Sequence, residues 1–273
     1  MRRTRQALLP AALCLAFAAP TSAPAAEVDP VPGVVVRAAV HAVGGCALFP
    51  ADNPWNRRID SRPVWRRSSA IVAGQAAGAE LHLDLGTTED YYGIPVNVVD
   101  EDQPLLPLAF GVDGEDCADE SDRGPVFVPA DAAIEGGSAA GLPILPGLLD
   151  YDEAAVGPIT HALRFTLPTA RHAYTWPARH CGPSGNTSAD LPTYGMRFRL
   201  KASFPARRYT GSARRIVVAM KRYGLVYADQ GSAMYVTGTA DPRWSDALDQ
   251  FRARPLEGRA LQVVEPFRRI VRC

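Results

Sequence analysis

The sequence predicts a mainly β protein: an antiparallel β sandwich, jelly-roll-like, with two accessory α-helices. Three observations carry this. From Cys46 onward, short apolar runs alternate with Pro/Gly/Asp clusters. The 23 Gly and 24 Pro are spread through 273 residues without a period, which excludes collagen-like and coiled-coil chains. Side chains then alternate with period two through much of 159–202. A 47% apolar content is too high for intrinsic disorder.

At the N-terminus, Arg2, Arg3 and Arg5 precede an uncharged apolar stretch over 7–20, and Ala23-Pro24-Ala25 offers small residues at a cleavage point. Residues 1–25 therefore read as a secretory signal peptide, too short in its apolar part to span a bilayer. Residues 26–44, rich in Pro, Val and Ala, are expected to be a flexible leader, and 45–273 a single β-rich domain. The chain carries 29 Lys+Arg and 29 Asp+Glu; losing three arginines and no acid leaves 26 against 29, a net charge of −3. That balance excludes a strong general attraction to nucleic acid. The protein is expected to be secreted and not membrane-spanning.

Export places Cys46, Cys117, Cys181 and Cys273 in an oxidising compartment, where two disulfides are expected from three possible connectivities. The preferred pairing is Cys46–Cys273 with Cys117–Cys181. No Cys-x-x-Cys or His-rich spacing points to zinc, so no metal and no cofactor is expected.

In residues 160–167, His161, Leu163, Phe165 and Leu167 fall on one strand face, with Arg164 and Thr166 on the other. Pro168-Thr169 turns the chain into an expected partner strand, where His172, Tyr174 and Trp176 alternate with Ala173 and Thr175. A third strand over 196–202 sets Met196, Phe198 and Leu200 against Arg197, Arg199 and Lys201. A helix over 212–223 follows, capped by Ser212, with Ala213, Ile216, Val217 and Met220 inward and Gly224 ending it. Residues 225–228 and 233–237 read as a hairpin around Asp229-Gln230-Gly231-Ser232. Asp241-Pro242 opens the second helix, which carries Trp244, Leu248 and Phe251.

Four motifs stand in order: Leu-Phe-Pro-Ala-Asp-Asn-Pro-Trp-Asn at 48–56, Gly-Leu-Pro-Ile-Leu-Pro-Gly-Leu at 141–148, His-Ala-Leu-Arg-Phe-Thr at 161–166 and Trp-Pro-Ala-Arg-His at 176–180. Together they resemble an uncharacterised family of secreted bacterial proteins, over about residues 46 to 265. The segment 151–165, with Glu153 and His161, is also similar to a motif in exported proteins expected to act on cell-wall or plant glycans. One departure matters. Family members carry an additional strand pair and an Asp/Arg-rich turn after the motif that here reads Ile134-Glu135-Gly136-Gly137, whereas this chain passes almost at once to Gly141. If those strands are central to the family fold, the resemblance implies a trimmed paralogue without activity.

His161, on an apolar strand face, has a side chain suited to general acid or base work; its alternative is a buried imidazole bonded to a carbonyl. Glu153 lies eight residues earlier, across the Gly157-Pro158 turn, and can return beside it; otherwise Asp150, Asp152 and Glu153 form a solvated acidic loop. Arg179 and His180 close the tail of the expected partner strand, and an antiparallel hairpin would bring His180 to the edge where His161 begins. Tyr174 and Trp176 would form a stacking wall for a sugar ring, or else core packing. Asn53-Pro54-Trp55-Asn56 reads as a rigid corner. Asp113, Glu115, Asp116, Asp119, Glu120 and Asp122 could gather Ca²⁺ but lack EF-hand spacing, and read as a hydrated loop.

The expected catalytic set is thus Glu153, His161 and His180, with Tyr174, Trp176 and Arg179 binding substrate. The expected partner is an extracellular polysaccharide or cell-surface glycan, acted on by a hydrolase or lyase. A lyase needs a base and cations for a uronate carboxylate, which Arg164, Arg179, Arg197 and Arg199 could supply; a hydrolase needs two opposed carboxylates. The alternatives are a non-catalytic glycan- or surface-binding protein and a purely structural exported protein.

Overall fold

A six-stranded mixed sheet organises the protein in the computed structural model, which describes residues 41–43, 46–86, 93–96, 98, 102–107, 125–127, 139–183 and 185–273. The strands are β1 (Ala42–Val43), β2 (Cys46–Ala47), β3 (His82–Gly86), β4 (Leu105–Pro107), β5 (Pro125–Phe127), β6 (Leu163–Leu167), β7 (Ala173–Tyr174), β8 (Arg197–Leu200), β9 (Leu225–Gln230), β10 (Tyr235–Ala240), β11 (Leu261–Val263) and β12 (Val271–Arg272). The helices are α1 (Ser68–Gln75), α2 (Tyr151–Val156), α3 (Gly211–Arg222) and α4 (Ser245–Ala253).

The order in the main sheet is β11-β8-β9-β6-β10-β3, with β6 parallel to β9 and β10 parallel to β3. The β-rich expectation holds. Among the described residues the large sheet is single and mixed, flanked by helices, rather than one layer of two stacked antiparallel sheets. The expected 225–237 hairpin is corrected: β9 and β10 both form, but β6 lies between them. Crossing an intervening strand takes about 9.6 Å, which the four residues 231–234 can span. The linker is held over the end of β6, where Met234 N–H donates to the Thr166 carbonyl and Thr166 Oγ1 to that of Ser232.

Because β6 is paired on both edges, it has no edge left for 172–176. The expected 160–167/172–176 hairpin is therefore also corrected: β7 pairs instead with the C-terminal β12, Tyr174 opposite Val271. The Cys181–Cys273 disulfide, with Cα atoms 6.5 Å apart, staples that pairing. This overturns both expected bridges, since Cys181 and Cys273 were each assigned another partner. Cys117 and the Cys46 side chain lie outside the described residues.

Paired residues share a sheet face, so Phe165, Tyr227 and Val236 lie together, as do Leu163, Leu225 and Phe198. The rings of Phe165 and Phe198 meet edge to face at 5.0 Å. The opposite face carries Arg164, Val226 and Arg197, as the period-two reading required. That face is not solvated as a half-buried sheet would be: Arg197 is 1% exposed. It donates to the Pro54 carbonyl at 2.7 Å and to that of Tyr223, and Arg199 donates to Ile59. Burial first, then repulsion from Arg62 and Arg57, pulls the Arg197 pKa down to about 9. Arg197 is a structural clamp on the 54–60 segment, not a substrate-facing cation.

α3 forms where expected and buries Ala213, Ile216, Val217 and Met220; it starts after Thr210 rather than at Ser212. Gly224 ends it at φ 74°, and a Cβ there would strike the Phe198 carbonyl. The second expected helix is a 3-10 turn, Pro242–Trp244, running into α4, with Trp244 and Phe251 buried. No helix among the described residues is long and apolar enough to cross a membrane. The signal peptide, residues 26–40 of the leader, the acidic cluster at 113–122 and the 134–137 motif lie outside the described residues.

Candidate metal centre

α2 and the turn after it bring Glu153 back to His161. Asp150 caps α2, its Oδ1 accepting from Glu153 N–H at 3.2 Å, and Gly157 N–H closes the helix on the Glu153 carbonyl. The expected acidic loop is therefore a short helix, with Asp152 outside and paired to Arg243 at 2.9 Å. Glu153 turns inward: Oε1 accepts from Thr160 N–H at 3.2 Å, and Oε2 lies 2.9 Å from His161 Nε2. The backbone just after His161 is fixed by Ala162 N–H on the Trp55 carbonyl and Leu163 N–H on that of Gly224.

The third member comes from a residue assigned to the flexible leader. His41 is 2% exposed and stacks on His161, ring centroids 3.6 Å apart and planes 9° apart. Its place follows from the 48–56 motif. Asn53 Oδ1 accepts from Trp55 N–H and caps the Pro54–Asn56 turn; the Asn56 side-chain amide then donates to the carbonyls of Leu48, Phe49 and Pro50. Leu48 N–H in turn holds the His41 carbonyl at 2.6 Å. The rigid corner expected from the sequence thus positions an imidazole. His41 could have been flagged as one of five histidines, set in an apolar run, but nothing in its spacing ties it to 153 or 161.

His161 Nδ1 lies 2.9 Å from the Ala162 carbonyl, which accepts its proton. That contact turns Nε2 toward the carboxylate, and two lone pairs 2.9 Å apart repel unless a proton or a cation stands between them. His41 Nε2 lies 3.9 Å from the same Glu153 oxygen, and neither of its ring nitrogens has a hydrogen-bond partner. Buried polar nitrogens left so are rare and costly. The ligand atoms of His41, Glu153 and His161 all fall within 4.8 Å of one another. The two Glu153–imidazole separations, 2.9 and 3.9 Å, bracket the roughly 3.4 Å between ligands of tetrahedral zinc, and the stacked rings, 9° apart in plane, must turn toward each other for both to bind one ion. A carbonyl holding Nδ1–H so that Nε2 is free to ligate is the usual outer-shell arrangement of a metal-binding histidine.

Comparison with protein-family models, curated proteins and solved structures finds no match. The chemistry therefore rests on the geometry.

The electrostatics favour a neutral His41 beside an ionised Glu153. Burial, and then the charge of His161, push the His41 pKa down to about 3, against a smaller pull from Glu153. Burial alone would raise the Glu153 carboxyl, but the His161 hydrogen bond, the charges of both histidines and Thr160 N–H together hold it below its ordinary value. Neutral imidazole and ionised carboxylate are the forms that bind a metal. Two histidines and a glutamate leave a tetrahedral ion one open position, the arrangement in which a bound water can be activated.

The other expected site residues do not join this cluster. His180 stands on the 139–141 turn, its N–H on the Ala140 carbonyl at 3.3 Å and its ring against Gly141. The hairpin that was to carry it to His161 does not form. Arg179 is exposed beside it. Trp176 meets Phe267 edge to face and lies under the Arg268 guanidinium, 4.5 Å from its ring centroid, so the C-terminal segment covers the expected sugar platform. Tyr174 is half-buried in the β7–β12 pair. Arg164 is engaged with Thr237 and Asp229.

Proposed function

We propose that this is an exported metalloprotein of the zinc class, whose ion is held by His41, Glu153 and His161. The observation that carries the reading is His41: a buried imidazole with both nitrogens unpartnered, converging with His161 on one carboxylate oxygen. The Cys181–Cys273 disulfide supports an oxidising, extracellular setting. The open fourth position makes water activation the chemistry the centre is suited to, and an extracellular polysaccharide remains the proposed substrate class.

A second reading is favoured by the 2.9 Å Glu153–His161 contact: a metal-free imidazole–carboxylate pair acting as general base on that polymer. His41 weighs against it, because a metal-free Glu153–His161 pair leaves both buried His41 nitrogens without a partner. Non-catalytic glycan binding would rest on Tyr174 and Trp176, whose half-covered rings leave a smaller platform than the sequence suggests.

The test is a metal titration. Chelator-stripped protein is dialysed against Zn²⁺ or Co²⁺, and bound metal is read by elemental analysis and Co²⁺ absorption. One ion per chain is expected, lost in His41→Leu, Glu153→Gln and His161→Leu. Wild-type protein retaining no more metal than the three variants would overturn the proposal.

A further inference from the structure

We infer a second site at the C-terminal end of α3: an oxyanion-binding pocket formed by Arg58, Arg199, Lys221 and Arg222, taking a carboxylate, sulfate or phosphate group. The pocket has a volume of about 540 Å³ and is completed by Asp60 and the apolar stems of Leu200 and Val218. That size suits a ligand of one or two sugar rings or smaller.

Charge is the argument. Four cations and one carboxylate line the pocket, in a chain whose total formal charge is zero. Of these four cations, only Arg58 is in an ion pair among the described residues, with Asp60. Arg199 is 8% exposed and spends its hydrogen bonds on neutral groups: the Ile59 carbonyl and the Gln262 side-chain amide, oriented to accept at 2.8 and 3.0 Å. Lys221 Nζ donates to the carbonyls of Ala202 and Phe204, each at 2.8 Å. These bonds fix the two cations in place without neutralising them. Arg222 is exposed at the rim, in the last turn of α3. Cations held on a rigid frame, with Asp60 the single carboxylate among them, favour an anionic guest through charge-assisted hydrogen bonds.

The fold explains why they converge. Arg199 comes from β8, Lys221 and Arg222 from α3, and Arg58 from the segment that Arg197 and Arg199 clamp onto the sheet. Backbone bonding between Ile59 N–H and the Arg222 carbonyl, 2.7 Å, joins that segment to the end of α3. No part of this depends on a metal at His41, Glu153 and His161.

The test is isothermal titration of the full-length purified protein with sodium sulfate, inorganic phosphate, digalacturonate and neutral cellobiose, at low and raised salt. At least one anion is expected to bind, more weakly as salt rises, and cellobiose not at all. Arg222→Ser should weaken that binding about tenfold, a loss of about 1.4 kcal/mol, while Arg214→Ser, on the exposed side of the same helix, should leave it unchanged. Binding of digalacturonate alone would assign the pocket to acidic saccharides; binding of sulfate or phosphate as well would assign it to the oxyanion group itself. No anion binding, or equal weakening by both substitutions, would overturn the proposal.

Discussion

The imidazoles of His41 and His161 stack face to face, 3.6 Å apart, although 120 residues separate them in the chain. One belongs to a short N-terminal hairpin, the other to the entry of the central strand, and Glu153 faces both. Replacing His41 by leucine should therefore have opposite effects with and without metal. Without metal, leucine removes two unpartnered buried nitrogens, and stability should be unchanged or rise by about 1 kcal/mol. With Zn²⁺ at about 100 times its Kd, wild type should gain about 2.7 kcal/mol and the variant nothing. Urea denaturation of both proteins, with and without Zn²⁺, checks this.

For the metal-free protein, pH dependence follows from the same residue. His41 has a folded pKa of about 3, below its ordinary 6.5. Above pH 6.5 neither state takes up the proton; below it the unfolded chain does and the folded one does not. Stability should thus fall as pH drops from 6.5 toward 3, by at most about 1.4 kcal/mol per unit. Glu153, held low, adds to the loss only below its ordinary carboxyl value, and its charge partly offsets the His161 repulsion felt by His41. Between pH 7 and 5, wild type should lose about 2 kcal/mol more than His41→Leu. Identical losses in the two proteins would remove the buried neutral imidazole from the account.

Asn56 makes no hydrogen bond to the three candidate ligands among the described residues, yet its amide holds the 48–50 carbonyls, and Leu48 holds His41. Asn56→Ala should lower Zn²⁺ affinity about tenfold while the circular dichroism spectrum stays that of the folded protein. Unchanged affinity would show that the corner does not position the imidazole.

The Cys181–Cys273 bridge spans 92 residues of sequence. Cys273→Ser should expose the Cys181 thiol to titration and cost about 2–5 kcal/mol, with β7 and β12 the first elements to lose amide protection. A variant in which Cys181 stays unreactive would mean that the bridge is not made in solution.

Ile216 is fully buried on the inner stripe of α3. Its replacement by alanine should destabilise the protein by about 2–5 kcal/mol in denaturant unfolding. A loss near zero would place the stripe on a surface.

What the sequence determined by itself is local. Period two drew β6 and β8 correctly, with Phe165 and Phe198 inward, and the spacing of Ile216, Val217 and Met220 drew α3. Gly224 and Asp241-Pro242 marked a helix end and a helix start because backbone conformation near glycine and proline is set by the residue itself. The Glu153–His161 pair was legible for the same reason: eight residues and one Gly-Pro turn join them. Strand order was not. Nothing in residues 225–237 says that β6 enters between β9 and β10, since partner choice depends on which edges the rest of the chain leaves open. The false hairpin 160–176 and the misplaced His180 follow from that one decision, and four cysteines leave three pairings among which no spacing chooses. His41 was invisible likewise, because a ligand brought from 112 residues before Glu153 leaves no spacing to read. Only the closed core, which excludes water from an imidazole and supplies it with no other partner, turns position 41 into part of a site.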